Sequence, residues 1–121
     1  MAKKRARKNR RSSRSKAAAS KTVRAYVYLA KDDNGTDTYR VYPGVVILQG
    51  GDDLELVNVS GDEATWTAPA GPFGGGFTEK VKNNNGKNKK ASAGPMAAQY
   101  QVEVKGKKAH GNSDPVIIID L

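Results

Sequence analysis

The sequence of 121 residues has no cysteine and a single histidine, His110. Disulfides, zinc–thiolate sites, blue-copper sites and thiol nucleophiles are therefore excluded, because each needs a cysteine sulfur. His110 lies in a loop rich in glycine and lysine, where an exposed side chain is a better interpretation than a ligand or a base. Serine and threonine are plentiful, but because the one histidine lies in a loop no Ser–His–Asp arrangement stands out. We predict no metal site, no cofactor, no catalytic residue and no enzymatic activity.

Long apolar runs are also lacking. No stretch approaches the roughly 18 consecutive apolar residues that a membrane-spanning helix needs. The basic start resembles the first part of an export signal, but the segment KAAASK that follows is too short and too polar to be its apolar part. We therefore expect a cytoplasmic protein without a membrane span.

Acidic residues are absent from residues 1–24, which carry eleven Lys or Arg. The rest of the chain holds ten Lys or Arg and all twelve Asp or Glu, so its net charge is −2. Residues 1–22 also lack aromatic residues, so they cannot bury enough apolar surface to offset the entropy of ordering. The sequence predicts a disordered basic arm over residues 1–22 and one folded domain over residues 23–121.

The arm has the composition of a polyanion-binding segment. Lys and Arg displace condensed counterions from a phosphate backbone, and Arg adds bidentate phosphate contacts. We predict that the arm contacts nucleic acid, DNA or RNA, without sequence preference. An acidic protein, an acidic membrane surface and a merely solubilising tail are the alternatives, and the membrane is disfavoured because the arm has no aromatic residue or leucine to insert. The predicted binding residues are Lys3, Lys4, Arg5, Arg7, Lys8, Arg10, Arg11, Arg14 and Lys16.

Helical periodicity is almost absent from residues 23–121, whereas apolar and polar residues alternate between turn signals. Asn34-Gly35 indicates a hairpin, and Pro43-Gly44 indicates a strand break. The apolar run of residues 116–121 is typical of a strand covered on both faces. Strands are predicted over residues 23–29, 38–43, 45–48, 53–59, 64–67, 77–82, 99–105 and 116–121. About eight short strands predict an all-β fold, an antiparallel two-sheet Greek-key sandwich.

Several side chains are predicted to be structural. Trp66, the only tryptophan, is expected in the core, with Phe73 or Phe77 of the glycine-rich segment packed on it. The late strand is expected to point Tyr100, Val102 and Val104 inward.

Four acidic residues look like pairs but do not form carboxylate sites. Asp52 is expected to cap a turn, and the adjacent Asp53 would point to the opposite face. Asp62 and Glu63 are interpreted as part of a solvated loop.

Lysine and asparagine dominate residues 80–95, for which we predict a mobile basic loop. It is either a hydrophilic insertion or a second phosphate-contacting patch that cooperates with the arm. The lysines of residues 105–108 would join that patch if the two loops lie at one end of the sandwich. The predicted secondary patch consists of Lys87, Lys89, Lys90, Lys107 and Lys108.

Three segments resemble parts of cupredoxin-like domains: YRVYPGVVILQGGDDLELVN (39–58), AAQYQVEVKG (97–106) and SDPVIIIDL (113–121). The resemblance covers residues 39–121 and implies a cupredoxin-like β-sandwich. Copper-binding members have a histidine shortly after the asparagine that matches Asn58, and a loop with Cys, His and Met after the strand that matches residues 100–104. Here VSGDEATW lacks histidine and KGKKAHGNS lacks cysteine and methionine. The resemblance therefore implies a copper-free member.

Taken together, these features predict a non-enzymatic binding protein whose arm contacts nucleic acid. The sandwich would then provide a surface for a protein partner or for self-association. Two other functions remain open from the sequence. One is a structural or assembly protein, such as a capsid or shell component with an internal basic arm. The other is a copper-free cupredoxin-like domain used for protein recognition.

Overall fold

A computed structural model describes residues 20–109 and 114–120. No helix occurs within these two ranges, so nothing in them qualifies as a membrane-spanning helix. The predicted all-β class is confirmed. The eleven strands are β1 (Thr22–Lys31), β2 (Asp37–Tyr42), β3 (Val45–Gln49), β4 (Asp53–Asn58), β5 (Ala64–Ala68), β6 (Phe77–Val81), β7 (Asn85–Lys90), β8 (Met96–Gln99), β9 (Gln101–Val104), β10 (Lys107–Lys108) and β11 (Val116–Asp120).

The strands form three sheets. The first, which we call the front sheet, has the strand order β2-β1-β4-β7. The second has the order β10-β9-β5-β6, and the third has the order β3-β11-β8. Tyr100 alone separates β8 from β9, so one continuous segment links the second and third sheets. Buried side chains from all three sheets meet in one core, which makes the domain sandwich-like.

Alternation along the strands decides which side chains enter this core, because successive residues of a strand point to opposite faces. In β1, Ala25 and Val27 are fully buried, whereas Arg24 and Tyr26 are exposed. The inward positions predicted for the late strand are confirmed for Tyr100, Val102 and Val104.

Trp66 lies at the centre of an aromatic cluster and has no exposed surface. Its ring meets those of Phe77, Phe73 and Tyr100 edge-on, at centroid distances of 5.0, 6.0 and 6.3 Å. The prediction that Trp66 belongs to the core is confirmed, and both phenylalanines pack on it. The glycine-rich segment permits this packing by folding back on itself, through backbone hydrogen bonds between Gly71 and Gly74.

Two strand pairs are parallel, β1 with β4 and β3 with β11. The prediction of a purely antiparallel sandwich is therefore wrong at these pairs. The reason is that β2 and β3 belong to different sheets. The chain leaves the front sheet after β2, runs through β3 in the third sheet, and re-enters the front sheet at β4 in the direction of β1.

The apolar run in β11 is not covered on both faces as predicted. Ile117 and Ile119 are fully buried, but Val116 and Ile118 are half-buried. The face of the third sheet that carries Val116 and Ile118 is therefore partly open in the described part of the chain.

The two turn predictions in the first half of the chain are confirmed. The β1–β2 hairpin closes over residues 33–35, where Asp32 Oδ1 accepts hydrogen bonds from the amides of Asn34 and Thr36, each at 2.9 Å. Gly35 has a φ of 77°, which glycine adopts without a steric penalty. The strand break at Pro43-Gly44 is the point where the chain leaves the front sheet for β3.

Asp52 caps the turn before β4, as predicted. Its carboxylate is almost fully buried and accepts hydrogen bonds from the backbone amides of Lys21 (3.1 Å) and Gln49 (2.9 Å). The hydrogen bond from Gln49, and then that from Lys21, holds the pKa of Asp52 below its ordinary value. Asp53 is half-exposed at the start of β4, so the two carboxylates do not form a pair.

We expect Asp52→Asn to lower the free energy of unfolding at neutral pH by about 1–3 kcal/mol. A carboxamide has one oxygen, so its NH2 group would face one of the two backbone donors. Because the folded pKa lies below the unfolded value of 3.8, the carboxylate stabilises the fold above that pH and loses this effect as the pH falls through the folded pKa. Urea unfolding between about pH 2 and pH 7 should therefore show the variant and the wild type converging in acid.

Asp33→Asn serves as the control, because Asp33 is exposed in the hairpin loop. A stability difference between Asp52→Asn and the wild type that stays constant over the whole pH range would contradict the assignment.

Candidate functional site

The nine predicted phosphate-contacting residues of the arm, from Lys3 to Lys16, lie outside the described residues. What the structure describes is the point where the arm joins the domain. The backbone of Lys21 donates to Asp52 Oδ1 and accepts from the amide of Asp53 at 2.9 Å. The arm is thus fixed to one end of the front sheet, immediately before β1.

The basic segment of residues 80–95 is not the mobile loop that we predicted. It contains β7, which forms an edge of the front sheet and pairs antiparallel with β4 along its whole length. A sequence of lysine and asparagine can form this strand because its backbone bonds to β4, and an edge strand needs no apolar alternation. Charged side chains on such an edge also discourage pairing with other chains.

The lysines of β7 are paired with acidic side chains. Lys87 and Lys89 both contact the carboxylate of Glu79, and Lys90 Nζ lies 3.5 Å from Asp53 Oδ1. Lys89 also lies over the ring of Phe77, with Nζ 4.5 Å from its centroid. These pairs partly neutralise the β7 half of the secondary patch.

The β10 half of the secondary patch, Lys107 and Lys108, lies elsewhere. β10 neighbours β2, whereas β7 neighbours β6, and these are opposite edges of the two four-stranded sheets. The structure therefore does not bring the five lysines into one patch. Near β10, the hydrogen bond and charge of Lys31 hold the pKa of Asp37 below its ordinary value, with smaller contributions from Lys107 and Lys105.

The front sheet carries an aromatic and basic surface that the sequence reasoning missed. Tyr26 and Tyr42 are 41% and 66% exposed and lie directly opposite each other in the β1–β2 register. Two residues further along β1, on the same face of the sheet, Tyr28 lies opposite Arg40. We call this surface the tyrosine face and define it as Arg24, Tyr26, Tyr28, Arg40 and Tyr42.

The tyrosine face borders residues of β4 and β7 on one side. Arg24 Nε donates to Glu55 Oε1 at 2.7 Å across the parallel pair of β1 and β4. Tyr26 has Val57 as its neighbour on β4, and the row continues to Gly86 on β7. Gly86 has no side chain, and the side chain of Glu55 lies over its backbone, so an acidic group borders the tyrosines on this side. The signal in the sequence was the alternation of Tyr and Arg with buried residues in VRAYVY and TYRVY.

The loop after β4 is held together by Asn58. Its Nδ2 donates to the carbonyl oxygens of Asp62 (2.7 Å) and Val81 (2.8 Å). Its Oδ1 accepts from the amide (2.9 Å) and the hydroxyl (2.7 Å) of Ser60. Asn58 is fully buried, and these four hydrogen bonds satisfy both polar atoms of its side chain. Asp62 and Glu63 form ion pairs with Lys105 and Lys80 at the surface.

An open cleft of about 350 Å³ lies between the end of β5 and the junction of β8 and β9. The hydroxyl of Tyr100 is buried there without a hydrogen-bond partner among the described residues, and burial raises the pKa of Tyr100. This phenol stays protonated at neutral pH, and Asp114 is the one carboxylate in the lining. The cleft is lined by Thr67, Ala68, Pro69, Gln99, Tyr100, Gln101 and Asp114. This lining offers no pair of groups suited to acid–base catalysis.

Metal ligation finds no support within residues 20–109 and 114–120, where no three His, Cys, Asp or Glu side chains form a group that could hold an ion. His110 lies outside the described residues. The expectation of a metal-free domain stays a prediction.

Comparison with known proteins gives no family assignment. Function must therefore be inferred from the charges and the geometry of the chain itself. No protein-family model matches the sequence, and a search of curated proteins finds no significant match.

Proposed function

We propose that this chain is a non-enzymatic nucleic-acid-binding protein whose basic arm contacts phosphate groups without sequence preference. The observation that carries the proposal is the segregation of charge. Eleven Lys or Arg stand in residues 1–24 without one acid, while the rest of the chain has a net charge of −2. Binding of such a segment to a polyanion is favoured because condensed counterions are released into solution, and phosphate contacts carry no sequence information.

The charges of the domain support the same assignment. Seven cationic side chains of the described residues are paired with carboxylates: Arg24, Lys31, Lys80, Lys87, Lys89, Lys90 and Lys105. A lysine that already has an acidic partner gains less from a phosphate than an unpaired one does. The acid-free arm is therefore the stronger electrostatic contact.

The proposal predicts a steep dependence of binding on salt. If about six of the arm's cations engage duplex phosphates, a plot of log K against log salt should have a slope of about −5. Replacing Arg5, Arg7, Arg10, Arg11 and Arg14 with glutamine should remove most of the affinity and flatten that slope. Fluorescence anisotropy with labelled duplexes of unrelated sequence, measured at several salt concentrations, checks both expectations.

The melting temperature of the glutamine variant provides the control. It should match that of the wild type, because an arm that is disordered when free, as the sequence predicts, contributes no packing to the fold. Affinity that is insensitive to salt, or a domain that unfolds when the five arginines are replaced, would rule out the phosphate-led function.

We further propose that the domain is a copper-free, Greek-key, cupredoxin-like sandwich without cofactor that works in the cytoplasm. The three sequence segments quoted above and the all-β, sandwich-like architecture support this proposal. Its role would be to supply an interaction surface beside the arm. If the proposal holds, the protein should be retained on heparin, and deletion of residues 1–22 should abolish that retention. A domain that serves only protein recognition would show no such loss.

A structural or assembly function is the second candidate, and one observation favours it. β3 is an edge strand of the third sheet without a charged residue, and Val45 and Ile47 on it are 51% and 58% exposed. Uncharged exposed edges are sites of pairing between chains. Size-exclusion chromatography with light scattering distinguishes the candidates, because an assembly protein forms particles and the proposed binding protein does not.

A further inference from the structure

We propose that the tyrosine face binds unpaired bases, so that the nucleic acid recognised by this protein is single-stranded. This inference rests on the proposed nucleic-acid function and specifies its substrate. The arm would neutralise phosphates, while the tyrosine rings would stack on bases. Stacking of bases on exposed aromatic rings, beside a basic element that follows the backbone, is the general mode of single-strand binding.

The position of the tyrosines fits this role. Their strands turn alternate residues into the core, where Ala25, Val27 and Val41 are buried, so Tyr26 and Tyr42 project from the opposite side of the sheet. Residues directly opposite each other in a sheet have Cβ atoms about 5 Å apart. The two side chains therefore start from neighbouring positions, and with 41% and 66% of their surface exposed both rings are accessible. Val57 lies beside Tyr26, and the side chain of Glu55 covers Gly86 beyond it.

The charges around the rings also fit a phosphate backbone. Arg40, which forms no ion pair with the described residues, lies opposite Tyr28 on this side of the front sheet and is the stronger candidate for a phosphate contact, whereas Arg24 is paired with Glu55. Arg is suited to this position because its guanidinium group binds phosphate in a bidentate manner and stacks on bases. Two carboxylates of β4 lie on this side: Glu55 is held by Arg24 at 2.7 Å, and Asp53 Oδ1 lies 3.5 Å from Lys90 Nζ, so both are partly neutralised.

The arm can reach the same surface. It enters the domain at Lys21, and Arg14 precedes Lys21 by seven residues, so an extended chain lets Arg14 reach about 25 Å from that point. Tyr28 lies about 20 Å along β1 from Thr22. One strand of nucleic acid can therefore contact the rings and the arm together. A duplex would reach the arm but would keep the faces of its bases stacked and hidden.

The test compares a labelled oligo(dT) of about 20 nucleotides with a duplex of the same length, by fluorescence anisotropy at one salt concentration. Combining Tyr26→Ala with Tyr42→Ala should weaken single-strand binding by at least about 30-fold and change duplex binding by less than about twofold, because two stacking contacts are lost. The double variant Tyr26→Phe, Tyr42→Phe should bind like the wild type, since it keeps both rings. Val45→Ala with Ile47→Ala is the matched control on β3 and should leave both affinities unchanged.

Other outcomes separate the inference from the function on which it rests. If the alanine and phenylalanine variants bind oligo(dT) equally well, while the arm variant loses both ligands, the tyrosine face serves another partner and the arm function stands. A protein-binding face predicts that same result and would overturn the inference. A wild-type protein that binds neither oligonucleotide would overturn the nucleic-acid function itself. Because both rings are exposed, we expect the alanine pair to melt at nearly the temperature of the phenylalanine pair, and that measurement distinguishes lost stacking from a folding defect.

Discussion

Trp66→Ala is expected to lower the free energy of unfolding by about 3–5 kcal/mol, the range for removing a buried aromatic side chain. The indole is fully buried and contacts the rings of Phe73, Phe77 and Tyr100 edge-on. Its Nε1 has no hydrogen-bond partner among the described residues, so the substitution leaves no such partner unpaired there. The loss should therefore come from packing. Urea unfolding followed by circular dichroism measures it without depending on tryptophan fluorescence.

Trp66→Phe should be less destabilising than the alanine variant, because a phenyl ring fills part of the same volume. Tyr42→Ala provides the matched control for removing an aromatic ring. Since Tyr42 is 66% exposed, its removal should change stability by no more than about 0.5 kcal/mol. A Trp66→Ala variant with the stability of the wild type and without nucleic-acid binding would show that the indole serves the surface and not the core.

Local patterns were sufficient to predict most of the core. Alternation identified Trp66, Tyr100 and the inward side of the late strand, because it depends only on neighbours in the sequence. It failed at β7, whose lysines and asparagines form a strand through backbone pairing with β4. The parallel pairs could not be predicted either. They depend on which sheet receives β3, and that is decided by packing between distant segments.

The tyrosine face could not be predicted from the sequence, because a shift of one residue in strand pairing would remove it. Asn34-Gly35 predicted a hairpin, but the face depends on the pairing register of that hairpin. The observed loop spans residues 33–35, which places Tyr26 opposite Tyr42. A two-residue loop at Asn34-Gly35 would shift the pairing by one residue and place the buried Val27 opposite Tyr42. Such a shift would put side chains of opposite faces beside each other, so the alternation of Tyr and Arg alone could not establish the surface.

The prediction of one secondary basic patch was wrong for a different reason. Its five lysines come from two lysine-rich segments, but these segments lie apart, because β7 neighbours β6 and β10 neighbours β2 at the opposite edges of the two four-stranded sheets. Sequence could indicate the charge of each segment, but the carboxylates of Glu79 and Asp53 that pair with the β7 lysines come from other strands. Charge in the arm is different, because residues 1–24 contain no acid that could neutralise it locally.

Asn58→Leu is the other change for which we expect a loss of about 3–5 kcal/mol in the free energy of unfolding. The side-chain amide connects the front sheet to the second sheet, because Asn58 lies on β4 and donates to the carbonyl of Val81 on β6. Leucine has a similar volume but removes the side-chain partner of that carbonyl and of the Ser60 amide, and it leaves the carbonyl of Asp62 with only the Ser60 hydroxyl at 3.0 Å. Each buried polar group left unsatisfied costs about 1–3 kcal/mol. Partial relaxation of the loop should keep the total below the simple sum.

A double-mutant cycle with Ser60→Ala separates the network from the volume of the side chain. Ser60 Oγ donates to Asn58 Oδ1 at 2.7 Å, so the two substitutions should be less destabilising together than the sum of each alone. Asn88→Ala is the control, because Asn88 is exposed on the β7 edge and should change stability by less than about 0.5 kcal/mol. Additive effects in the cycle, or wild-type stability of Asn58→Leu in urea unfolding, would contradict the role of Asn58 in connecting the front sheet to the second sheet. The loop after β4 would then be free to serve a ligand after all.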